Sequence, residues 1–412
     1  MPHGTSAIGD EGRKESQGYP LSGITVIDLS HVYNGPYATF LMAMAGAEVI
    51  KVEPHHGEHL RSRGDMGGAA LPFAMLNSNK KPVTLNLKSE EGRALLKEMV
   101  ARADILVENF APGVMDRLGV GAAALHAINP RLIYGSSSGY GKTGPYRDYP
   151  AMDLVMQAMC GVINATGYPD QPPVKSGAAM CDFSAGIHLY AAIMTALYER
   201  ERTGKGRVVE VSMQDATYAS LASNLGMLHA RGAAAPARTG NRHGGLGISP
   251  YNVYAASDGY VVLNAPGDHH FRAILEVMGR ADLKDDPRFL TRASRVVNFA
   301  DVDELIERWT KTLPKAEIAQ QMLAAAVPCA PVRDLSEVIL DENMHARGSL
   351  QWIDHPELGR VVLPHSPFVF EGTPRRPIEP SLPLGASNDA VFGAWLGHSE
   401  EELAKLKDDG VI

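Results

Sequence analysis

Cysteine is scarce in this chain of 412 residues. The three present, Cys160, Cys181 and Cys329, lie far apart, with no CxxC or Cys/His spacing. That excludes a disulfide-built scaffold and gives no zinc signature. A sparse, odd count fits a reducing cytoplasm, which is the expected location. Cys181, beside Asp182, reads as a small buried filler before it reads as a reactive thiol. Basic excess is lacking too. The formal net charge is −8, so there is no broad positive field for nucleic acid, and a polyanionic ligand must be held by local Lys and Arg. No apolar run approaches the roughly 20 residues that span a bilayer. Residues 1–18 contain Asp10, Glu11 and Glu15 and no apolar stretch, so they fit neither a secretory signal nor a transit peptide. They read as a flexible tail. Neither nucleic acid nor membrane is expected as a partner.

A glycine fingerprint is also missing. The first strand–loop–helix invites a dinucleotide reading, and Glu53 ends the second strand where a ribose-binding acid would sit. G-x-G-x-x-G needs several glycines so that backbone can approach a pyrophosphate. Here Gly35 stands alone, followed by Pro36, which argues against a nicotinamide or flavin site. No metal or redox cofactor is indicated.

What is present is a core and a repeating pattern. Apolar residues make up 45% of the chain, and the length suggests two or three domains. Residues 24–29 form a β-branched apolar run, read as a strand. Pro36 suits a first helical position, Gly46 suits the helix end, and a second strand follows over 48–53. Further strands are predicted over 82–87, 104–107, 132–136 and 208–211. A helix starts after Ser89, with Glu90 and Glu91 in its first turn. Strands alternating with helices predict an α/β, Rossmann-like, doubly wound parallel sheet. The expected division is a large domain over 19–225, a linker over 226–247 and a small α+β domain over 248–340. Residues 341–412 would then return to the large domain. The stretch 327–383, rich in Pro and Gly, reads as long and irregular.

Two carboxylates precede apolar helices. Asp182 heads a long one and Asp153 a shorter one. Taken alone, Asp182 reads as a helix N-cap before it reads as a functional acid, and Asp153 reads equally as either.

The ordered motifs then point to a family. Ser30-His31-Val32-Tyr33-Asn34-Gly35-Pro36, the 46–53 strand, Asn77-Ser78-Asn79-Lys80-Lys81, Glu108-Asn109-Phe110-Ala111-Pro112-Gly113, Thr203-Gly204-Lys205-Gly206 and Met213-Gln214-Asp215-Ala216 together resemble the family III CoA-transferases. That superfamily includes formyl-CoA and carnitine CoA-transferases and α-methylacyl-CoA racemases. The resemblance covers nearly everything after the tail. It implies acyl-CoA and a carboxylic acid as substrates, no tightly bound cofactor, and an interlocked homodimer. It implies Asp182 as the nucleophile and Asp153 as a second acid of the site. Tyr33, Asn34, Asn109 and Phe110 would line bound CoA. Lys88 and Arg117 would contact its phosphates, although each also reads as an ordinary solvated charge. Tyr149 and Met152 would approach the thiol end. Gly244, Gly245 and Gly247 would form a flap, or simply a linker turn. Arg242 and His243 beside them either meet a second carboxylate of the substrate or face solvent. Formyl-CoA transferases carry Gln where this chain has Tyr33.

Met152 separates the branches. Racemases of this superfamily place a His directly before the acid equivalent to Asp153, because moving an α-proton between faces needs two proton carriers. Methionine carries none, which favours transferase over racemase; a lyase that uses the same CoA chemistry is the other alternative within the superfamily. A non-catalytic CoA-binding protein, the alternative of another class, would be expected to have lost Asp182.

Overall fold

A computed structural model describes residues 18–62 and 70–412. The expected tail lies outside the described residues except for Gly18. The chain divides into two compact units. One comprises the described residues up to Ala151, Cys181–Ala216 and Glu342–Ile412; the other comprises Met152–Met180 and Thr217–Asp341.

The first unit is built on a six-stranded parallel sheet. Its strands are β1 (Thr25–Asp28), β2 (Glu48–Glu53), β3 (Lys80–Thr84), β4 (Ile105–Glu108), β5 (Ile133–Ser138) and β6 (Val208–Ser212). They lie in the order β3-β2-β1-β4-β5-β6, the doubly wound arrangement. Both faces of such a sheet are covered, so its central strands carry buried apolar residues on both faces. Val26, Ile27, Ile50, Val107 and Ile133 are all fully buried.

Two helices cover one face. Ala38 and Met42 of the Asn34–Met44 helix, and Leu189, Ile193 and Ala196 of the Met180–Thr203 helix, pack on Val26, Val49, Ile105, Val107 and Ile133. The Met180–Thr203 helix is long and apolar enough to cross a membrane, a length that reading continuous apolar runs did not reveal. Its apolar stripe is spent on the sheet, where each fully buried Leu or Ile contributes about 1.5–3 kcal/mol. On the other face, Leu95, Leu96 and Met99 of the Glu90–Arg102 helix meet Ile27, Ile50, Val83 and Leu106. Val391, Phe392, Leu403, Val411 and Ile412 from the C-terminal segment complete that layer. Ser89 caps the Glu90–Arg102 helix as predicted, its Oγ accepting from the Gly92 N–H at 3.0 Å.

Two details differ from expectation. The third strand begins at Lys80, not residue 82, because Lys80 finds a buried counter-charge in Asp28. The stretch after 327 is also less irregular than predicted. In this unit it contains an antiparallel hairpin, Leu350–His355 with Gly359–Pro364.

The second unit holds a three-stranded antiparallel sheet of Tyr251–Ala256, Gly259–Asn264 and Cys329–Pro331. Helices Asp268–Val277, Phe299–Thr310 and Lys315–Ala324 supply Phe271, Ile274, Ile306 and Ile318 to a core with Tyr254, Val261 and Leu263.

Candidate active site

In an open parallel sheet, ligands bind beyond the carboxyl ends of the strands where the strand order reverses. Here that point lies between β1 and β4. The loop after β1 carries Ser30 to Tyr33, Asn34 opens the helix that follows, and β4 ends at Glu108, followed by Asn109 and Phe110. The Asn109 side chain joins the two, accepting from the His31 N–H at 2.9 Å and donating to the His31 carbonyl at 2.8 Å. The Phe110 ring meets the His31 ring edge to face, 4.7 Å between centroids. Burial, then the charge of Lys51 and of His59, lowers the His31 pKa to about 4, so the ring is neutral near pH 7.

A buried charge network fixes this loop from below. Asp28, Lys51 and Lys80 are each 3% exposed or less. Asp28 lies 2.9 Å from Lys80 Nζ and 3.9 Å from Lys51 Nζ. Burial alone would raise the Asp28 carboxyl. The two ammonium groups and the hydroxyls of Ser30 and Thr39 outweigh it and hold the pKa well below the usual carboxylate range. Lys51 Nζ donates to the Ser30 carbonyl. Ser30 Oγ in turn donates to Asp28 at 2.5 Å. Val32 sits at φ +65°, an outlier for a β-branched residue, and its N–H donates to Glu58 Oε2 at 3.1 Å. Such backbone persists only where its surroundings over-determine it. The sequence offered one signal for this network: three charges placed in strands that should be wholly buried must be paired. Glu53, the residue that invited a dinucleotide reading, is paired with Arg61 at 2.8 Å.

Asp182 is the third residue of the Met180–Thr203 helix and is buried. It therefore lies inside the first turn rather than at the N-cap, where the helix dipole favours a carboxylate. Its neighbours place it against the β1 loop. The Phe183 ring stacks on Tyr33 at 5.8 Å and meets Tyr37 edge-on at 4.9 Å. One turn on, Gly186 packs so tightly that a Cβ there would lie 2.6 Å from the Asn34 carbonyl oxygen. The Asn34 Nδ2 donates to Ser137 Oγ at 2.9 Å.

The structure thus gathers Tyr33, Asn34, Asn109, Phe110 and the first turn carrying Asp182 near the carboxyl ends of the central strands β1 and β4. Phe110 and Arg117 also line a cavity of about 380 Å³. Lys88 does not line it. It stands exposed after β3, with its N–H bonded to Asn86 Oδ1 at 3.1 Å. Tyr149 is exposed and packs with Tyr140 and Tyr146. Sequence reasoning missed Glu108 and Lys142 in the cavity lining. The register of β4 on β5, Glu108 opposite Ser136, is what brings Glu108 to the lining hydroxyls.

In the second unit, Met152 occupies the N-cap of the Asp153–Met159 helix and Asp153 its first position. Gln157 Nε2 donates to Asp153 Oδ2 at 2.6 Å. Gly244 lies against Asn224, which a Cβ would approach to 2.9 Å, whereas the nearest atom to a Cβ on Gly247, its chain neighbours aside, would be the Gly245 carbonyl oxygen at 4.0 Å. His243 Nδ1 accepts from the N–H groups of Gly245 and Gly247 at 3.2 and 3.4 Å. Arg242 does not face solvent alone. It pairs with Asp303 at 2.8 Å and lies 3.8 Å over the Phe299 ring. Among the described residues, no group of three or more His, Cys, Asp or Glu is placed to hold a metal.

Comparison with known proteins matches residues 21–388 to the family described as CoA-transferase family III. The formyl-CoA:oxalate CoA-transferase of Streptomyces coelicolor is 38% identical, over 95% of this chain and 99% of its own. The acetyl-CoA:oxalate CoA-transferase of Acetobacter aceti is 42% identical, over 86% of this chain and 90% of its own. A crystal structure of a CAIB/BAIF family protein from Brucella suis superposes with a TM-score of 0.80 at 34% identity, covering 92% of this chain and 99% of that one.

Proposed function

The chain belongs to CoA-transferase family III and is an acyl-CoA:carboxylate CoA-transferase, and from that premise we propose that it carries CoA through covalent intermediates on Asp182. The observation that carries this reading is the buried Asp182 carboxylate in the first turn of a helix whose Phe183 and Gly186 pack against Tyr33 and Asn34.

A carboxylate oxygen of Asp182 attacks the thioester carbonyl of the donor. The C–S bond breaks, giving a mixed anhydride and CoA thiolate. The thiolate attacks the aspartyl carbonyl and expels the donor acid as its carboxylate, leaving an aspartyl–CoA thioester. The acceptor carboxylate attacks that thioester and releases thiolate, forming a second anhydride. Thiolate attack on the acceptor acyl carbon then yields the new acyl-CoA and restores Asp182. Dividing the exchange in this way replaces one difficult step by easier ones. Backbone N–H groups stabilise the oxyanion at each tetrahedral stage, and the loop of Gly244, Gly245 and Gly247 is the proposed flap. Asp153 is the proposed second acid. Tyr33, Asn34, Asn109 and Phe110 are the proposed CoA lining, with Lys88 and Arg117 on the phosphates and Tyr149 and Met152 toward the thiol.

The substrates named for the two relatives, formyl or acetyl thioesters and oxalate, support a small acyl donor and a small carboxylic acid acceptor. Sparse cysteine and the family resemblance support a cytoplasmic homodimer. The test is intact-protein mass after incubation with formyl-, acetyl- and succinyl-CoA. A CoA-sized adduct on the wild type, absent from Asp182→Ala, is the expected result. Exchange activity surviving in a folded Asp182→Ala protein would overturn the mechanism.

A further inference from the structure

Three successive N–H groups of the glycine loop converge on one residue, His243. Gly245 and Gly247 donate to its Nδ1 at 3.2 and 3.4 Å. Leu246, between them, donates to its carbonyl at 2.7 Å. The loop therefore folds around its own imidazole. Because Nδ1 accepts, it carries no proton, and the ring hydrogen lies on Nε2. That nitrogen faces Ser223 Oγ at 3.4 Å, and the ring meets Tyr251 edge-on, 5.3 Å between centroids. Ser223 belongs to the Ala222–Arg231 helix and Tyr251 opens a strand, so two regular elements hold the imidazole in place.

The residues around the ring are fitted to it. A Cβ on Gly245 would lie 3.1 Å from the imidazole Cε1 and 3.3 Å from the Ser223 carbonyl oxygen, so a side chain there would crowd both ring and helix. Leu246 sits at φ +47°. A non-glycine residue keeps left-handed backbone only where its surroundings demand it. Glycines lose more conformational freedom on ordering than other residues, so a turn with three of them in five positions, 243–247, needs an anchor to keep one shape.

We infer that His243 is a positioning residue for the proposed flap: its Nδ1 holds the turn over 243–247 in one shape, and that shape keeps water from the thioester formed on Asp182. The inference rests on the covalent and flap readings above and adds the residue on which the flap depends. Without the Nδ1 acceptor the turn loses its shape, and water competes with the acceptor acid. The water oxygen attacks the aspartyl carbonyl and the C–S bond breaks. CoA leaves as the thiol with one proton of the water, the other passes to solvent, and Asp182 regains its carboxylate. The donor thioester is then hydrolysed instead of exchanged.

The test is the lifetime of the CoA adduct. Wild type and variants are charged with formyl-, acetyl- or succinyl-CoA, rapidly desalted, and followed by intact-protein mass with no acceptor acid present. Asparagine places its amide oxygen where Nδ1 stands, whereas glutamine carries its amide one bond farther out. His243→Leu and His243→Gln should shorten the lifetime roughly ten-fold, and His243→Asn should restore most of it. A merely structural role would lower the yield of folded protein and leave the decay of each adduct unchanged. Equal lifetimes in wild type and His243→Leu overturn the inference, as does equal shortening by asparagine and glutamine. If His243→Leu does not fold or takes no adduct, the contrast between asparagine and glutamine decides. No adduct on folded wild type with any of the three donors sinks the covalent reading instead.

Discussion

The carboxamide of Asn109 closes a two-bond clamp on the backbone of His31, its oxygen taking the N–H and its nitrogen meeting the carbonyl. The clamp ties the ends of two neighbouring parallel strands at the place where the sheet reverses its winding. Asn109→Ala breaks both bonds and should cost about 1–3 kcal/mol of stability. Asn109→Asp keeps the acceptor and loses the donor, so it should cost less. Urea unfolding of the three proteins gives the order. Because the same loop carries Tyr33 and Asn34, the KM for acyl-CoA should rise in that order too.

His31 makes stability depend on pH. Its pKa is about 4 in the folded chain against 6.5 unfolded. Between those values the unfolded chain binds the additional proton, so stability rises with pH across this window and is lost as pH falls from 6.5 toward 4. The loss from this group is up to about 3 kcal/mol. His31→Gln should flatten the dependence of Tm on pH between 4 and 6.5 while leaving carboxylate effects below it. An unchanged slope would mean that the imidazole is already protonated in the fold.

Asp28 is the acid on which two buried ammonium groups depend. Asp28→Asn removes the carboxylate with which both Lys51 and Lys80 pair, a change that should cost about 3–5 kcal/mol. Thermal melts at neutral pH would show it. Substituting the surface pair of Lys81 and Glu48, 2.9 Å apart and both about half exposed, should cost less than about 1 kcal/mol.

Gly186 and Gly244 should respond differently to alanine. At Gly186 the obstacle is a backbone carbonyl, so the Met180–Thr203 helix must move off the Asn34 loop. The expected cost is about 1–3 kcal/mol, with a fall in kcat because Asp182 rides one turn earlier on the same helix. At Gly244 the obstacle is the end of the Asn224 side chain, which can rotate away, and stability should hardly change. Melting curves paired with steady-state kinetics separate the two.

Arg242 is anchored by Asp303 and Phe299, and Asp303 also accepts from the Tyr254 hydroxyl at 2.8 Å. Arg242→Met should therefore lower stability by about 1–2 kcal/mol. A substrate-binding arginine would behave otherwise, raising the KM for a dicarboxylic acid with no change in melting.

The parallel sheet was legible because its strands are short β-branched runs and their helices carry ordinary signals, such as Ser89 before Glu90 and Glu91. The hairpin at 350–364 was not. Its strands are only partly buried, and its apolar residues, Trp352 and Ile353 among them, show no clear alternation. The position of Asp182 at a helix start could be read from an acid preceding an apolar run. The polar floor of the cavity could not. Glu108 ends one strand and Lys142 follows the next, and only the lateral pairing of those strands makes them neighbours. The same is true of Asp28 and Lys51, which are register partners on β1 and β2 although more than twenty positions separate them.

Every residue lining the cavity falls between Glu108 and Asp148, a single uninterrupted stretch of chain. Recognition assembled from distant segments drifts whenever any of them changes, whereas this cavity is inherited as one piece. Substitutions elsewhere in the polypeptide can therefore accumulate without altering what lines it.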